Sequence, residues 1–173
     1  MPDGDSGEIL WFRPDPRAII PLDGFHTSRS LRRKINQSLY QVSYNQAFSE
    51  VMQGCAEHPE TWINQEFMDV YGQMHKLGLA HSVEVWHEQS LVGGTYGVCL
   101  GGAFFAESKF HRKTDASKVA LYYLVKHMKK QGLTLLECQF LTPHLKSLGA
   151  IEVSDQEYLK LLREALKREV RFT

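Results

Sequence analysis

Between Asp115 and Lys130 the apolar side chains of Ala116, Val119, Ala120, Tyr123 and Leu124, with His127 or Met128, return every three or four positions. That period puts them on one side of an α-helix. Asp115 stands where an N-cap belongs, and Gly132 where a helix ends. Shorter stripes of the same kind predict further helices. Ala47, Phe48, Val51 and Met52 mark one within Tyr44–Cys55. Phe67, Val70, Tyr71 and Met74 mark another, beginning near Thr61 and stopped by Gly78. Tyr158, Leu159, Leu162 and Leu166 mark a last one over Asp155–Lys167, and Thr142–Leu148 reads as a short helix.

Other segments follow the two-residue period of strands. Over Ala80–His87, Ser82, Glu84 and His87 are separated by Val83, Val85 and Trp86. Leu91–Leu100 follows after Glu88-Gln89-Ser90, so the two read as a hairpin, and Gly101-Gly102 turns into a strand over Ala103–Glu107. Leu133–Gln139 reads as a buried strand, and Ala18–Leu22 and Leu39–Ser43 as short ones. Ile9–Phe12 is a short apolar segment closed by the turn-prone Arg13–Arg17. His26–Lys34 is dense in hydroxyls and positive charge. Residues 1–8 read as a flexible tail, 9–38 as a reduced N-terminal segment and 39–173 as the main domain. This order predicts an α+β fold, a mixed, largely antiparallel sheet with helices packed on it. The strand ending in Glu137 and Gln139 would deliver both side chains to an edge crevice, where ligands bind in folds of this kind.

Composition changes the picture only by exclusion. A chain of 173 residues suits one compact domain with a sizeable core. Lys plus Arg and Asp plus Glu both total 20, so any contact with nucleic acid must come from local basic patches. Cys55, Cys99 and Cys138 are far apart and form no CxxC pair, which points away from disulfides and structural zinc and towards a cytoplasmic setting. No apolar run approaches the roughly 20 residues of a membrane span. His75, His81, His87 and His144 match no metal-binding spacing, so no metal is expected, and Ser28 and Ser30 have no triad context.

A carboxylate and an amide at the end of an apolar strand are costly unless something uses them. Around Glu137 and Gln139 the chain carries HTSRSLRR, WI, YGQMHKLGLAHSVEVW, LVGGTYGV, FFAES, ASKVAL and then CQ, His144 and SLGA, in that order. Over roughly residues 9–160 these runs resemble the leucyl/phenylalanyl-tRNA–protein transferases. The resemblance implies a GNAT-like fold and no cofactor. The implied activity moves Leu, Phe or sometimes Met from aminoacyl-tRNA to the N-terminal Arg or Lys of a protein, marking it for adaptor-mediated proteolysis, by a cytoplasmic enzyme acting as a monomer. It implies catalytic roles for Glu137 and Gln139, and acceptor binding by Glu107 and Thr142. Trp62 and Tyr71 would serve as stacking platforms for the tRNA 3′-adenosine, and Thr95, Phe104, Lys109, Leu124, Met128 and Leu136 would form the amino-acid pocket. Arg29, Arg32 and Arg33 would meet tRNA phosphates. The chain departs from the family pattern in having Glu137 where Asp is usual, Thr142 for Asn, and Thr95 and Lys109 for Met. It also has only residues 1–8 ahead of the Ile-Leu-Trp segment, where many members carry a lobe.

The implied reaction is attack of an amine on an activated ester, which needs alignment, removal of a proton and stabilisation of an oxyanion. Gln139 cannot hold a proton at neutral pH, so its expected part is to position the amine, with Glu137 orienting it and acting as proton sink. Two other readings share the fold or the residues. A CoA-dependent acyltransferase needs a glycine-rich turn ahead of a helix, whereas Gly94–Gly102 falls in a predicted strand pair. A non-catalytic binder of tRNA or N-degrons would keep the basic patch and lose the chemistry.

Overall fold

The structure, a computed structural model, describes residues 13–58 and 61–173, so the expected tail and the Ile9–Phe12 segment lie outside the described residues. β1 (Arg17–Ile20) is followed by α1 (Arg29–Asn36), β2 (Gln41–Tyr44), α2 (Phe48–Ala56), α3 (Gln65–Lys76), β3 (Ala80–His87) and β4 (Ser90–Leu100). Then come β5 (Ala103–His111), α4 (Ala116–Gln131), β6 (Leu135–Gln139), α5 (Pro143–Ser147), β7 (Ile151–Val153) and α6 (Asp155–Leu166). Among the described residues seven strands form one sheet in the order β2-β3-β4-β5-β6-β1-β7. Only β5 and β6 run parallel. The expected α+β, GNAT-like architecture is the one found.

Both faces of the sheet are covered, so its strands are rich in apolar residues throughout. Val83 and Val85 of β3, Phe104 of β5 and Leu136 of β6 pack under Leu121, Leu124 and Met128 of α4. On the opposite face Phe48, Val51 and Met52 of α2 meet Tyr96 and Phe110. Beside them Tyr158 and Ala165 of α6 cover Ile19 and Leu135. β1 lies between β6 and β7, so residues from before position 39 contribute a strand to the common sheet.

Helix α4 ends at Gly132 as its pattern predicts, in the left-handed conformation (φ 80°) that glycine adopts without strain. Its start differs. Asp115 precedes the helix at φ 68°, and its side chain caps nothing. The carboxylate instead pairs with Lys34 at 2.6 Å and Lys118 at 2.9 Å, tying α1 to α4. The third helix starts four residues later than expected, because Asn64 caps it by accepting from the Phe67 N–H at 3.0 Å. α1 was not expected. It is capped by Ser28, but its only buried residue is Leu31, too little to show as a stripe.

The HSVEVW run has a structural explanation. Glu84 of β3 is fully buried and accepts hydrogen bonds from the hydroxyls of Ser82 and Ser43, the latter at 2.6 Å. Trp86 Nε1 in turn donates to Ser43 Oγ at 2.8 Å. A buried carboxylate needs such donors. Ser82→Ala removes one, and denaturant unfolding should show a loss of about 1–3 kcal/mol. A variant of unchanged stability would mean that Ser82 does not help to satisfy Glu84.

Candidate active site

The site lies where the sheet opens. β5 and β6 pair only at Ala103↔Leu135, Phe104↔Leu136 and Phe105↔Glu137. Beyond that point β5 bulges against β4: Ala106 faces Gly97, Ser108 faces Tyr96, and Glu107 is the extra residue. A Cβ at position 97 would collide with the Phe105 carbonyl oxygen, so glycine there admits the bulge.

Glu137 is 2% exposed. It accepts from the Gln139 backbone N–H at 2.9 Å and from Arg17 Nη1 at 3.3 Å. Gln139 has φ 63°, a left-handed conformation uncommon for a side-chain-bearing residue. Glu137 therefore orients Gln139 through its main chain, and the Gln139 side chain turns the other way, with Nε2 3.4 Å from Glu107 Oε2. The Tyr71 hydroxyl donates to the same carboxylate. One amide thus stands between two carboxylates. Burial, reinforced by Glu137, pushes the Glu107 carboxyl up to about 7, with the Tyr71 hydrogen bond opposing. Burial also raises Glu137, against the pull of Arg17. Carboxyls displaced towards neutrality in a polar cluster are suited to exchanging protons with an amine.

Trp62 precedes α3 rather than lying on it. Its ring meets Phe67 edge-on at 5.1 Å, and Tyr71 meets Tyr96 edge-on at 5.4 Å. With Phe67 and Tyr71 stacked at 6.4 Å, this aromatic run leads from half-buried Trp62 to Glu107. Phe104, Leu124, Met128 and Leu136 share one cluster under α4 and are all fully enclosed. The ring of Phe172, near the end of the chain, packs 5.3 Å from that of Phe104. Thr95 is buried and donates to the Ser108 carbonyl at 2.8 Å. Lys109 lines a cavity between α2, β5, α4 and α5, apart from those four apolar residues. Thr142 caps α5, its hydroxyl accepting from the Leu145 N–H at 3.2 Å. Arg29, Arg32 and Arg33 are exposed on α1, with no acid paired to them among the described residues.

A family model described as leucyl/phenylalanyl-tRNA protein transferase matches residues 19–163. The chain belongs to this family. The leucyl/phenylalanyl-tRNA–protein transferase of Herpetosiphon aurantiacus is 50% identical over 168 residues, covering 96% of this chain and 88% of its own. That of a Ruegeria species is 52% identical over 162 residues, covering 94% and 77%. The solved structure of L-PGS from Bacillus licheniformis matches at a TM-score of 0.53 and 11% identity, over 90% of this chain and 66% of that one, a likeness of fold alone. The enzyme is therefore an aminoacyltransferase, carrying an aminoacyl group from tRNA to protein. Among the described residues, no helix is long and apolar enough to cross a membrane.

Two residues of the cluster were missed in the sequence. Arg17 clamps Glu137 from β1, and its guanidinium lies 4.4 Å over the ring of buried Tyr158 in α6. Nothing periodic marks either, since Arg17 closes a segment whose prolines read as a turn and Tyr158 reads as ordinary helix core. Two of the histidines are held by stacking. His75 stacks on Phe48 at 4.2 Å, and His81 stacks on Phe172 at 4.5 Å, where burial pushes its pKa down to about 4.

Proposed function

We propose that the enzyme transfers leucine or phenylalanine from aminoacyl-tRNA to the α-amine of proteins beginning with Arg or Lys. The observation that carries this reading is the pair of carboxylates, half-buried Glu107 and buried Glu137, flanking Gln139 at the opening between β5 and β6. Glu107 faces the acceptor ammonium. An α-amine has a pKa of about 8, close enough to the Glu107 value of about 7 for the proton to pass to the carboxylate. The freed nitrogen attacks the ester carbonyl and gives up its second proton as the C–O bond to the ribose breaks; the ribose oxygen takes up one proton, and the other leaves Glu107 for solvent.

Gln139 positions the nitrogen, and Glu137 with Arg17 holds Gln139 in place. Alignment of this kind can supply roughly 7–11 kcal/mol of the barrier. Trp62 and Tyr71 offer the terminal adenosine aromatic faces, each stacked base adding roughly 1–3 kcal/mol. Arg29, Arg32 and Arg33 meet the tRNA backbone. Thr95, Phe104, Leu124, Met128 and Leu136 surround the transferred side chain, and Thr142 borders the acceptor. The enzyme acts as a cytoplasmic monomer and marks its acceptors for degradation.

Purified enzyme given labelled Leu-, Phe- and Met-tRNA should label peptides beginning with Arg or Lys, and not matched peptides beginning with Ala. Equal labelling of all peptides would remove the acceptor assignment. Labelling from acetyl-CoA in place of the tRNA would remove the donor assignment.

A further inference from the structure

Close in sequence to the catalytic cluster, between α2, β5, α4 and α5, lies a cavity of about 520 Å³ bordered by Cys55, Lys109, Phe110, Ser117 and His144. It adjoins a second hollow reached by His111, Arg112, Lys113 and Lys118. The acids nearby are already engaged. Glu57 is paired with Arg112 at 2.5 Å, and Asp115 with Lys34 and Lys118. Lys113 Nζ lies 3.1 Å from His87 Nδ1, with no acid paired to it among the described residues. Among the described residues Lys109 has no acid partner, and its positive charge adds to burial in lowering the His144 pKa. His144 Nε2 is buried and has no hydrogen-bond partner among the described residues. The cavity also meets the N-terminal end of the 16-residue helix α4, which no side chain caps, and whose dipole favours an anion.

An unpaired ammonium, an orphaned imidazole nitrogen, a hydroxyl and a helix N-terminus converge on one hollow. Together they make a site for a compact, multiply accepting anion. Its place narrows the choice. Lys109 is two residues beyond Glu107 on β5, and His144 two beyond Thr142, so the hollow borders the point where the ester must lie.

We propose that this cavity is a phosphate subsite that holds a backbone phosphate of the RNA strand beside the ester-bearing nucleotide, with Lys109 as its fixed charge and His144 and Ser117 as its hydrogen-bonding walls. This rests on the transferase reading above. It adds a contact distinct from the α1 arginines, placed at the reacting end of the RNA.

The test removes the charge and keeps the length of the side chain, with Lys109→Met, and restores the charge with Lys109→Arg. The affinity for uncharged tRNA is measured from low to moderate salt. Transfer is measured from aminoacyl-tRNA and from aminoacyl-adenosine, which has no phosphate. Lys109→Met should weaken tRNA binding several-fold at low salt and reduce the slope of log affinity against log salt by about 0.7, the value for one phosphate contact to a single strand. The ratio of kcat/KM for the tRNA donor to that for the adenosine donor should fall, and Lys109→Arg should restore most of it.

An unchanged slope and an unchanged ratio in Lys109→Met, with transfer intact in the wild type, would overturn the subsite alone. Absence of transfer in the wild type, with a slope that still depends on Lys109, would overturn the transferase reading and leave the subsite standing. Inorganic pyrophosphate and coenzyme A serve as competitors. Displacement of tRNA by coenzyme A at lower concentration than by pyrophosphate, dependent on Lys109, would assign the cavity to a small phosphorylated ligand and overturn the proposal.

Discussion

Glu137→Ala should lose on the order of 10²-fold or more in transfer and about 3–5 kcal/mol in stability. The stability loss follows from what stays behind. Arg17 and Glu137 keep only 15% and 3% of their side-chain surface exposed, so deleting the carboxylate strands a guanidinium with nowhere to turn. Breaking a buried pair from one side carries a penalty of about that size. The transfer loss has a second source. The Gln139 N–H loses its acceptor, and the left-handed turn that aims Gln139 loses its support. A misplacement of about 1 Å in such a group is worth about 10²-fold.

Two companion variants separate the effects. Glu137→Gln keeps an oxygen for the Gln139 N–H and should recover part of the transfer. The double variant Arg17→Met with Glu137→Leu should recover stability without recovering transfer, because apolar replacements of a buried pair are often tolerated. Urea unfolding midpoints and single-turnover transfer rates read both quantities. Glu137→Ala with transfer within twofold of wild type would detach this carboxylate from the reaction.

Glu107→Gln should lower transfer by about 10²-fold, the low end of what a positioned proton acceptor contributes, and should change the pH dependence. With Glu107 at about 7, the wild-type kcat/KM should climb through neutral pH as the carboxylate forms. The Gln variant should lose that limb and keep only the rise due to the acceptor amine. Stability should move the opposite way. Burial raises the folded-state value from an ordinary 4.5 to about 7, so the unfolded chain gives up this proton first. The folded state is favoured below the unfolded value, and that advantage drains away as pH rises from about 4.5 through about 7. At pH 8 the Gln variant should therefore be more stable than the wild type while being less active. A wild-type profile flat through neutral pH would remove Glu107 from proton transfer.

The elements legible in the sequence were those whose burial is one-sided and long. Helix α4 could be read because its many apolar contacts recur at helical spacing and Gly132 punctuates its end. The β3–β4 hairpin could be read because its strands run eight and eleven residues. α1 was hidden because a short helix with one buried leucine, held by a serine cap and an ion pair to Asp115, leaves a polar pattern. β7 was hidden because two of its three residues are exposed.

The site divides in the same way. Glu107, Glu137 and Gln139 stood out through the words around them, and the structure brings them within one hydrogen-bonded cluster. Arg17 did not, because its partner lies 120 residues away and no local period records such a contact. The bulge at Glu107 was equally invisible, since it depends on the pairing of β5 with glycine-bearing β4.

The insertion of β1 between β6 and β7 has a consequence for biosynthesis. The strand bearing Arg17 is made before β2 to β5, and both of its neighbours in the sheet are made after them. Until they appear, the clamp on Glu137 cannot close and Gln139 has no support. The cluster around Gln139 can therefore assemble only after β6 has met β1, whatever the order in which the rest of the sheet forms.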